Sequence, residues 1–108
     1  MNFQTNIKEW SNHHQISEKT IESWWKYIES MEMEQSENLI KYFESNFDKK
    51  SMVVECFKIG AYLSQWLIED NVYLISYATI MYKGKEHGVY KLVFDIQGNI
   101  IDDSWDVE

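Results

Sequence analysis

The sequence has no arginine and no proline, and it has a single cysteine, Cys56. Arginine is the side chain best suited to grip phosphate, because its guanidinium fork matches the phosphate oxygens. A net charge of −8 would also repel nucleic acid and anionic membranes. One cysteine cannot form an internal disulfide, and the start MNFQTNIKEW lacks the apolar run of a secretory signal. We therefore expect a cytoplasmic protein that binds neither nucleic acid nor membrane.

The motifs of common catalytic and cofactor sites are missing as well. The four glycines are scattered, so neither a P-loop nor a GxGxxG loop can be built from them. His13 and His14 are adjacent and would point in different directions, and the sequence has no HExxH, CxxC or GxSxG pattern. Cys56 lies in VVECFKIG, where a small buried residue is the usual interpretation. We expect no metal, no cofactor and no catalytic residue.

Length and composition nevertheless fit one folded domain over 1–108. A chain of 108 residues with 44% hydrophobic and 16% aromatic residues can bury a single core. The spacing of its apolar residues changes near residue 50. The first part, about 1–50, has helical spacing, and the second part, about 51–108, has the spacing of strands.

Helical spacing is clearest in ISEKTIESWWKYIESM (16–31), and SENLIKYFESNF (36–47) shows it too. Ser17 and Ser36 are the predicted N-caps of these two helices. The stripe of the first is Ile21, Trp24, Trp25 and Ile28, and that of the second is Leu39, Ile40, Phe43 and Phe47. A third helical pattern is formed by Phe3, Ile7 and Trp10.

Strand patterns fill the second half. NVYLISYATIMY (71–82) is rich in β-branched and aromatic residues, and neither of its faces is consistently polar. HGVYKLVFDI (87–96) places Tyr90, Leu92, Phe94 and Ile96 on one side, and QGN (97–99) predicts a hairpin turn into a final edge strand. Residues 52–68 predict a long strand with a bulge or bend at Gly60, although a helix is an alternative.

Two or three N-terminal helices packed on a four-stranded antiparallel meander give an α+β fold. Helices followed by a meander resemble the NTF2-like and cystatin-like architectures in the order of their elements. That resemblance implies a pocket beneath a curved sheet. It covers the whole chain but depends on no motif.

The final strand, IIDDSWDVE, carries the candidate binding surface. On a strand Asp102, Ser104 and Asp106 share one face, while Asp103 and Trp105 share the other. Charge on an edge strand guards against aggregation, and Trp105 beside these acids also has the composition of a binding hot spot. The predicted partner-binding residues, including two from the turn before Asn71, are Asp102, Asp103, Trp105, Asp106, Glu108, Glu69 and Asp70.

The tyrosines form a second candidate surface. Tyr73 and Tyr77 share one face of the 71–82 strand, and we expect Tyr62 and Tyr90 to join them. This face has three alternative interpretations: the lining of a small-molecule pocket, a homodimer interface with sheets face to face, or core beneath the helices.

In overall character the chain resembles the small acidic immunity proteins that bacteria keep against polymorphic or contact-dependent toxins. LVFDIQGNIIDDSWDVE (92–108), a hairpin that ends in an acidic strand, carries this resemblance. It implies a non-catalytic inhibitor whose partner is a basic toxin, for example a nuclease. The alternative function is an NTF2-like or cystatin-like domain, or an isomerase-type enzyme, that binds a small ligand in a tyrosine-lined pocket.

Overall fold

The computed structural model describes residues 3–64 and 71–107, with side chains over 6–61 and 72–107. In this part of the chain three helices precede four strands, which confirms the predicted α+β architecture. The helices are α1 (Phe3–His14), α2 (Ile16–Glu34) and α3 (Ser36–Tyr42). A 3₁₀ turn (Lys49–Ser51) leads into β1 (Met52–Ser64), β2 (Asn71–Tyr82), β3 (Lys85–Phe94) and β4 (Ile100–Asp106). The strands form an antiparallel meander in the order β1-β2-β3-β4. None of the described helices is long and apolar enough to cross a membrane.

The central helix of the core is α2. Its apolar and small residues recur every three or four positions, so they form one stripe that faces the sheet. The buried members of this stripe are Ile16, Thr20, Trp24, Ile28 and Met31. The predicted N-cap at Ser17 is wrong, because Gln15 in a left-handed conformation (φ 53°, ψ 50°) precedes the helix instead. Since α1 runs to His14, a single residue makes the break between the two helices.

The third helix is shorter than the pattern over 36–47 predicts, because it ends at Tyr42. Phe43 follows with φ −118° and ψ −82°, outside the helical region. Leaving the helix lets Phe43 stack on the indole of Trp105, with ring centroids 5.5 Å apart and an interplanar angle of 8°. Phe47 also packs on the core from this irregular segment. Tertiary aromatic contacts here override the local helical pattern.

Two further details of α3 differ from the prediction. Ser36 is the first residue of the helix, and its N-cap is Gln35, which makes no side-chain capping bond. Leu39 is buried, whereas Ile40 is 54% exposed. A helix of 7 residues can bury only a narrow face, so one of two adjacent apolar residues is left in solvent.

The first strand is confirmed, and the helical alternative for 52–68 is wrong over the described part of that range. The bulge lies at Phe57 and not at Gly60, where pairing with β2 is regular. One extra residue allows Cys56 and Ile59, three positions apart, both to face the helices. It also turns Phe57 outward, where 56% of its surface is exposed.

Every second residue over 74–82 of β2 and over 90–94 of β3 is buried against the helices. These residues are Leu74, Ser76, Ala78, Ile80 and Tyr82 from β2, and Tyr90, Leu92 and Phe94 from β3. The residues between them are half-buried and lie on the opposite side of the sheet, which no described helix covers and which we term the open face. Ile96 does not extend the buried side as predicted, because β3 ends at Phe94 and leaves Ile96 exposed.

The turn between β3 and β4 is anchored from two sides. The Asp95 carboxylate accepts two backbone hydrogen bonds of 2.9 Å within the turn, as the predicted hairpin connection over 97–99 requires. The Trp10 indole of α1 donates a 2.7 Å hydrogen bond to the carbonyl oxygen of Ile96. The turn that leads into β4 is therefore tied to the first helix.

Candidate functional site

The edge strand β4 divides its side chains between the two faces of the sheet. Asp103 pairs with Leu92 and Trp105 with Tyr90, so Asp103 and Trp105 lie on the helix side. Asp106 lies on the open face, where it forms an ion pair with Lys91. This is the alternation that the sequence predicts for a strand.

A register shift at the start of β4 places apolar and acidic groups together. Phe94 pairs with Ile100 and Val93 with Asp102, which leaves Ile101 as the extra residue of a bulge. The bulge turns both Ile101 and Asp102 toward the open face. Ile101 remains 49% exposed there.

An apolar depression of about 300 Å³ lies on the open face beside this bulge. Its lining residues are Tyr73, Ile75, Val93, Ile101 and Asp102. The depression therefore joins one residue of the acidic edge with one residue of the tyrosine surface. Among the described residues that line it, Asp102 is the only charged one.

Charged groups border the rest of the open face. The Lys58 ammonium lies 4.5 Å from the ring centroid of Tyr77, and the Lys91 ammonium lies 6.0 Å from it. Lys91 also contacts Asp106 at 2.7 Å, and the hydrogen bond and charge of that carboxylate raise the pKa of Lys91. Asp102 differs, because its carboxylate accepts only a backbone hydrogen bond, from Asp103 at 2.9 Å, among the contacts of the described residues. The Asp102 carboxylate is therefore available to a cationic partner, and so are the exposed carboxylates of Glu55 and Glu86, which pair with Thr79 and Met81 of this face and form none of the ion pairs among the described residues.

On the helix side, the two predicted residues Asp103 and Trp105 are held in fixed positions. The indole nitrogen of Trp105 donates a 2.8 Å hydrogen bond to the carbonyl oxygen of His87, and its ring packs on Trp24 at 5.2 Å. Asp103 Oδ2 accepts a 2.7 Å hydrogen bond from the Tyr90 hydroxyl. Trp105 therefore extends the core while Asp103 stays exposed at its border.

The four predicted tyrosines do not line one pocket. Tyr73 and Tyr77 are half-buried on the open face, whereas Tyr90 is fully buried on the helix side. The space beneath the sheet is filled by side chains such as Trp24 and Ile28, both without solvent exposure. The side chain of Tyr62, and the predicted binding residues Glu69, Asp70 and Glu108, lie outside the described residues.

Two observations on the described part of the chain concern metal and thiol chemistry. Across residues 3–64 and 71–107, no three metal-ligating side chains come together. Cys56 borders a cavity of about 380 Å³ between α1 and β1, and burial raises the pKa of its thiol. A raised pKa keeps the sulfur protonated at neutral pH, so it is a poor nucleophile.

Sequence reasoning missed the apolar residues Ile75, Val93 and Ile101 as part of the site. The signal was present in the strand 71–82, where neither face is consistently polar. An antiparallel strand with one face in solvent normally alternates apolar and polar residues, so two apolar faces indicate that both become covered.

Comparison with known proteins identifies no relative of the chain. The chain matches no protein-family model, no curated protein and no solved structure. The open face and its acidic edge strand therefore carry the functional argument alone.

Proposed function

We propose that this chain is a non-catalytic protein that binds and inhibits a basic protein, as bacterial immunity proteins bind their toxins. The binding surface would be the open face together with the acidic edge of β4. The observation that carries the proposal is the apolar depression of the open face, with the Asp102 carboxylate at its border. Its described lining residues all come from strands, and none comes from a described helix.

The anatomy of the open face supports protein binding. Protein interfaces have an apolar, desolvated centre and a polar rim. Here Tyr73, Ile75 and Val93 supply the centre, and Lys91 and Asp106 supply part of the rim. Covering half-buried apolar residues with a partner removes them from water, which is the main driving force of association.

The charge of the chain supports a basic partner. The net charge is −8, with eighteen acids against ten lysines. A field of this sign raises the association rate of positively charged proteins, and salt screens the effect. A basic toxin such as a nuclease fits this description, because nucleases themselves need positive charge to bind nucleic acid.

A direct test compares two charge reversals of equal size. The chain is immobilised and exposed to lysate of its source organism, and a retained basic protein is then measured against Asp102→Lys and Glu29→Lys. Both substitutions change the net charge equally, but Glu29 is an exposed residue of α2, away from the open face. We expect Asp102→Lys to weaken binding at least about tenfold more than Glu29→Lys, because like charge at an interface is costly. Equal losses would argue against the open face.

A variant that removes an apolar side chain tests the contribution of apolar contact separately from that of charge. Ile101→Ser removes a 49% exposed side chain and leaves the net charge unchanged. We expect a faster dissociation rate with an unaltered salt dependence of the association rate.

Small-ligand binding is the alternative, and the depression of about 300 Å³ is the observation that favours it. This volume is at the lower end of the range for small-molecule sites. A compound that binds at Tyr73 in a ligand screen, with no basic protein retained from lysate, would favour this alternative over the inhibitor.

A further inference from the structure

Three aromatic side chains and one carboxylate meet where α2, α3 and β4 come together. The Trp105 ring lies 5.2 Å from Tyr42 and 6.4 Å from Tyr27, centroid to centroid, in edge-to-face arrangements. Asp103 is two residues from Trp105 on the same side of β4. We call Tyr27, Tyr42, Trp105 and Asp103 the aromatic–acidic patch.

This patch is both accessible and fixed. Tyr27 is 36% exposed, Tyr42 and Trp105 are half-buried, and Asp103 is exposed. The hydrogen bond from Trp105 to His87 fixes the indole, and the hydrogen bond from Tyr90 fixes the carboxylate. Groups that are already held in place lose little entropy when a ligand binds to them.

The electrostatic character of the patch is negative. Asp103 is absent from the ion pairs formed by side chains over 6–61 and 72–107, a range that includes all ten lysines. The pKa of Tyr27 is raised, first by burial and then by the negative charge of Asp103. The faces of the aromatic rings add negative potential of their own.

We propose that the aromatic–acidic patch binds the guanidinium group of an arginine side chain on a partner protein. A guanidinium is planar, stacks on aromatic rings and donates hydrogen bonds to carboxylates. It is also more weakly hydrated than the ammonium of lysine, so that a partly buried site favours it. The chain has no arginine of its own, so the ligand must come from another molecule.

One cation of the chain already lies against this surface. The Lys41 ammonium is 5.4 Å from the ring centroid of Tyr42. It is next to Tyr42 in sequence and exposed, so it would repel an incoming arginine. Removing its charge therefore should strengthen binding at the patch.

The patch lies on the opposite side of β4 from the depression of the open face. The inference rests on the proposed function only in assigning the arginine to a basic protein. A partner that used both surfaces would enclose the β4 edge, with Asp102 on one side and Asp103 on the other.

The test uses blocked Gly-Arg-Gly, Gly-citrulline-Gly and Gly-Lys-Gly peptides, titrated at low salt into the ¹⁵N-labelled chain. The indole N–H signal of Trp105 reports binding. We expect the arginine peptide to bind more tightly than citrulline, which has the same shape without charge, and more tightly than lysine. Tyr42→Leu should weaken arginine binding about two- to fivefold, the range of an exposed cation–π contact.

The matched control compares two substitutions that each remove the charge of one aspartate, at adjacent positions of β4. Asp103→Asn keeps an acceptor for Tyr90 and removes the charge, whereas Asp102→Asn removes the same charge on the opposite side of the strand. Of these two aspartate variants, only Asp103→Asn should weaken arginine binding, and Lys41→Gln should strengthen it. Equal binding of arginine and citrulline, a preference for lysine, or equal effects of the two aspartate variants would overturn the inference. None of these outcomes bears on capture of a partner by the open face, which Asp102→Lys tests separately.

Discussion

The hydroxyl of the fully buried Tyr90 donates a 2.7 Å hydrogen bond to Oδ2 of the exposed Asp103. Because Tyr90 donates to Asp103, the Ser23 hydroxyl, 2.8 Å away, donates to Tyr90. One chain of hydrogen bonds thus links α2, β3 and the acidic edge strand. A substitution at Asp103 on the edge strand should therefore affect the buried Tyr90, and a substitution at Tyr90 should affect Asp103.

Tyr90→Phe should destabilise the fold by about 1–2 kcal/mol, because it removes both hydrogen bonds and leaves the Ser23 hydroxyl without its acceptor. Urea unfolding followed by circular dichroism measures the loss. Asp103→Asn is the control: it keeps an acceptor for Tyr90 and should cost clearly less. A larger loss in Asp103→Asn than in Tyr90→Phe would contradict this assignment of the hydrogen bonds.

The same tyrosine predicts a pH dependence at the alkaline end. Burial raises the pKa of Tyr90 above its usual value, and the hydrogen bond and charge of Asp103 raise it further. An unfolded tyrosine ionises from about pH 10, whereas Tyr90 in the folded chain stays protonated beyond that. Its contribution to stability is therefore complete below about pH 10 and is lost as the pH rises above it.

We expect the melting temperature to fall above about pH 10, with a shallower fall in Tyr90→Phe. Lys49, Lys83 and Lys91, whose pKa values are raised by their carboxylate partners, also lose stabilisation at high pH. The difference between wild type and Tyr90→Phe isolates the tyrosine. Parallel curves for the two proteins would show that Tyr90 does not contribute.

How far the sequence predicts this fold depends on whether the signal is local. The order and type of the elements follow from apolar spacing, which is a local property of the chain. The end of α3 at Tyr42 and the bulge at Phe57 do not, because each is determined by a partner distant in sequence. Phe43 leaves the helix to stack on Trp105, and the bulge at Phe57 allows two residues of β1 to face the helices.

The candidate site also combines features that the local sequence predicts with features that depend on distant residues. Alternation on β4 separates Asp102 from Asp103, and the sequence alone predicts that separation. Whether Asp102 or Asp103 lies on the helix side depends on the pairing of Trp105 with Tyr90, which is a tertiary property. Tyr73, Ile101 and Asp102 line the same depression because of a bulge in β4, and no local pattern in IIDDSWD predicts that bulge.

Cys56 should react slowly with thiol reagents. Its sulfur lies 3.7 Å from the carbonyl oxygen of Ser17, to which it donates, and burial raises the pKa of the thiol. Since the thiolate is the reactive form, we expect 5,5′-dithiobis(2-nitrobenzoate) at pH 8 to react at least about tenfold more slowly with the native chain than with the urea-unfolded chain. Cys56 is the single cysteine, so the absorbance reports one site. Equal rates, corrected with N-acetylcysteine in both solvents, would indicate an accessible thiolate.

Gly88 and Gly84 offer a matched test of how closely the acidic edge packs on β3. Both have positive φ values, 96° and 77°. A Cβ atom at Gly88 would collide with the backbone carbonyl oxygen of Asp106, whereas one at Gly84 would meet no atom within 4 Å. Gly84→Ala should therefore cost only the conformational strain of a left-handed alanine, about 1–2 kcal/mol.

Gly88→Ala should lower the free energy of unfolding, measured in urea, by more than Gly84→Ala does, because backbone atoms of β4 must move away. It should also speed hydrogen exchange at the amides near Asp106, as pairing at the end of β4 loosens. Since the acids of β4 depend on that pairing for their positions, the variant should also weaken binding of a basic partner, while Gly84→Ala should not. Equal costs for the two alanine variants would mean that β4 can shift freely. The acidic edge would then be a loosely held strand, and its side chains would not present a fixed surface to a partner.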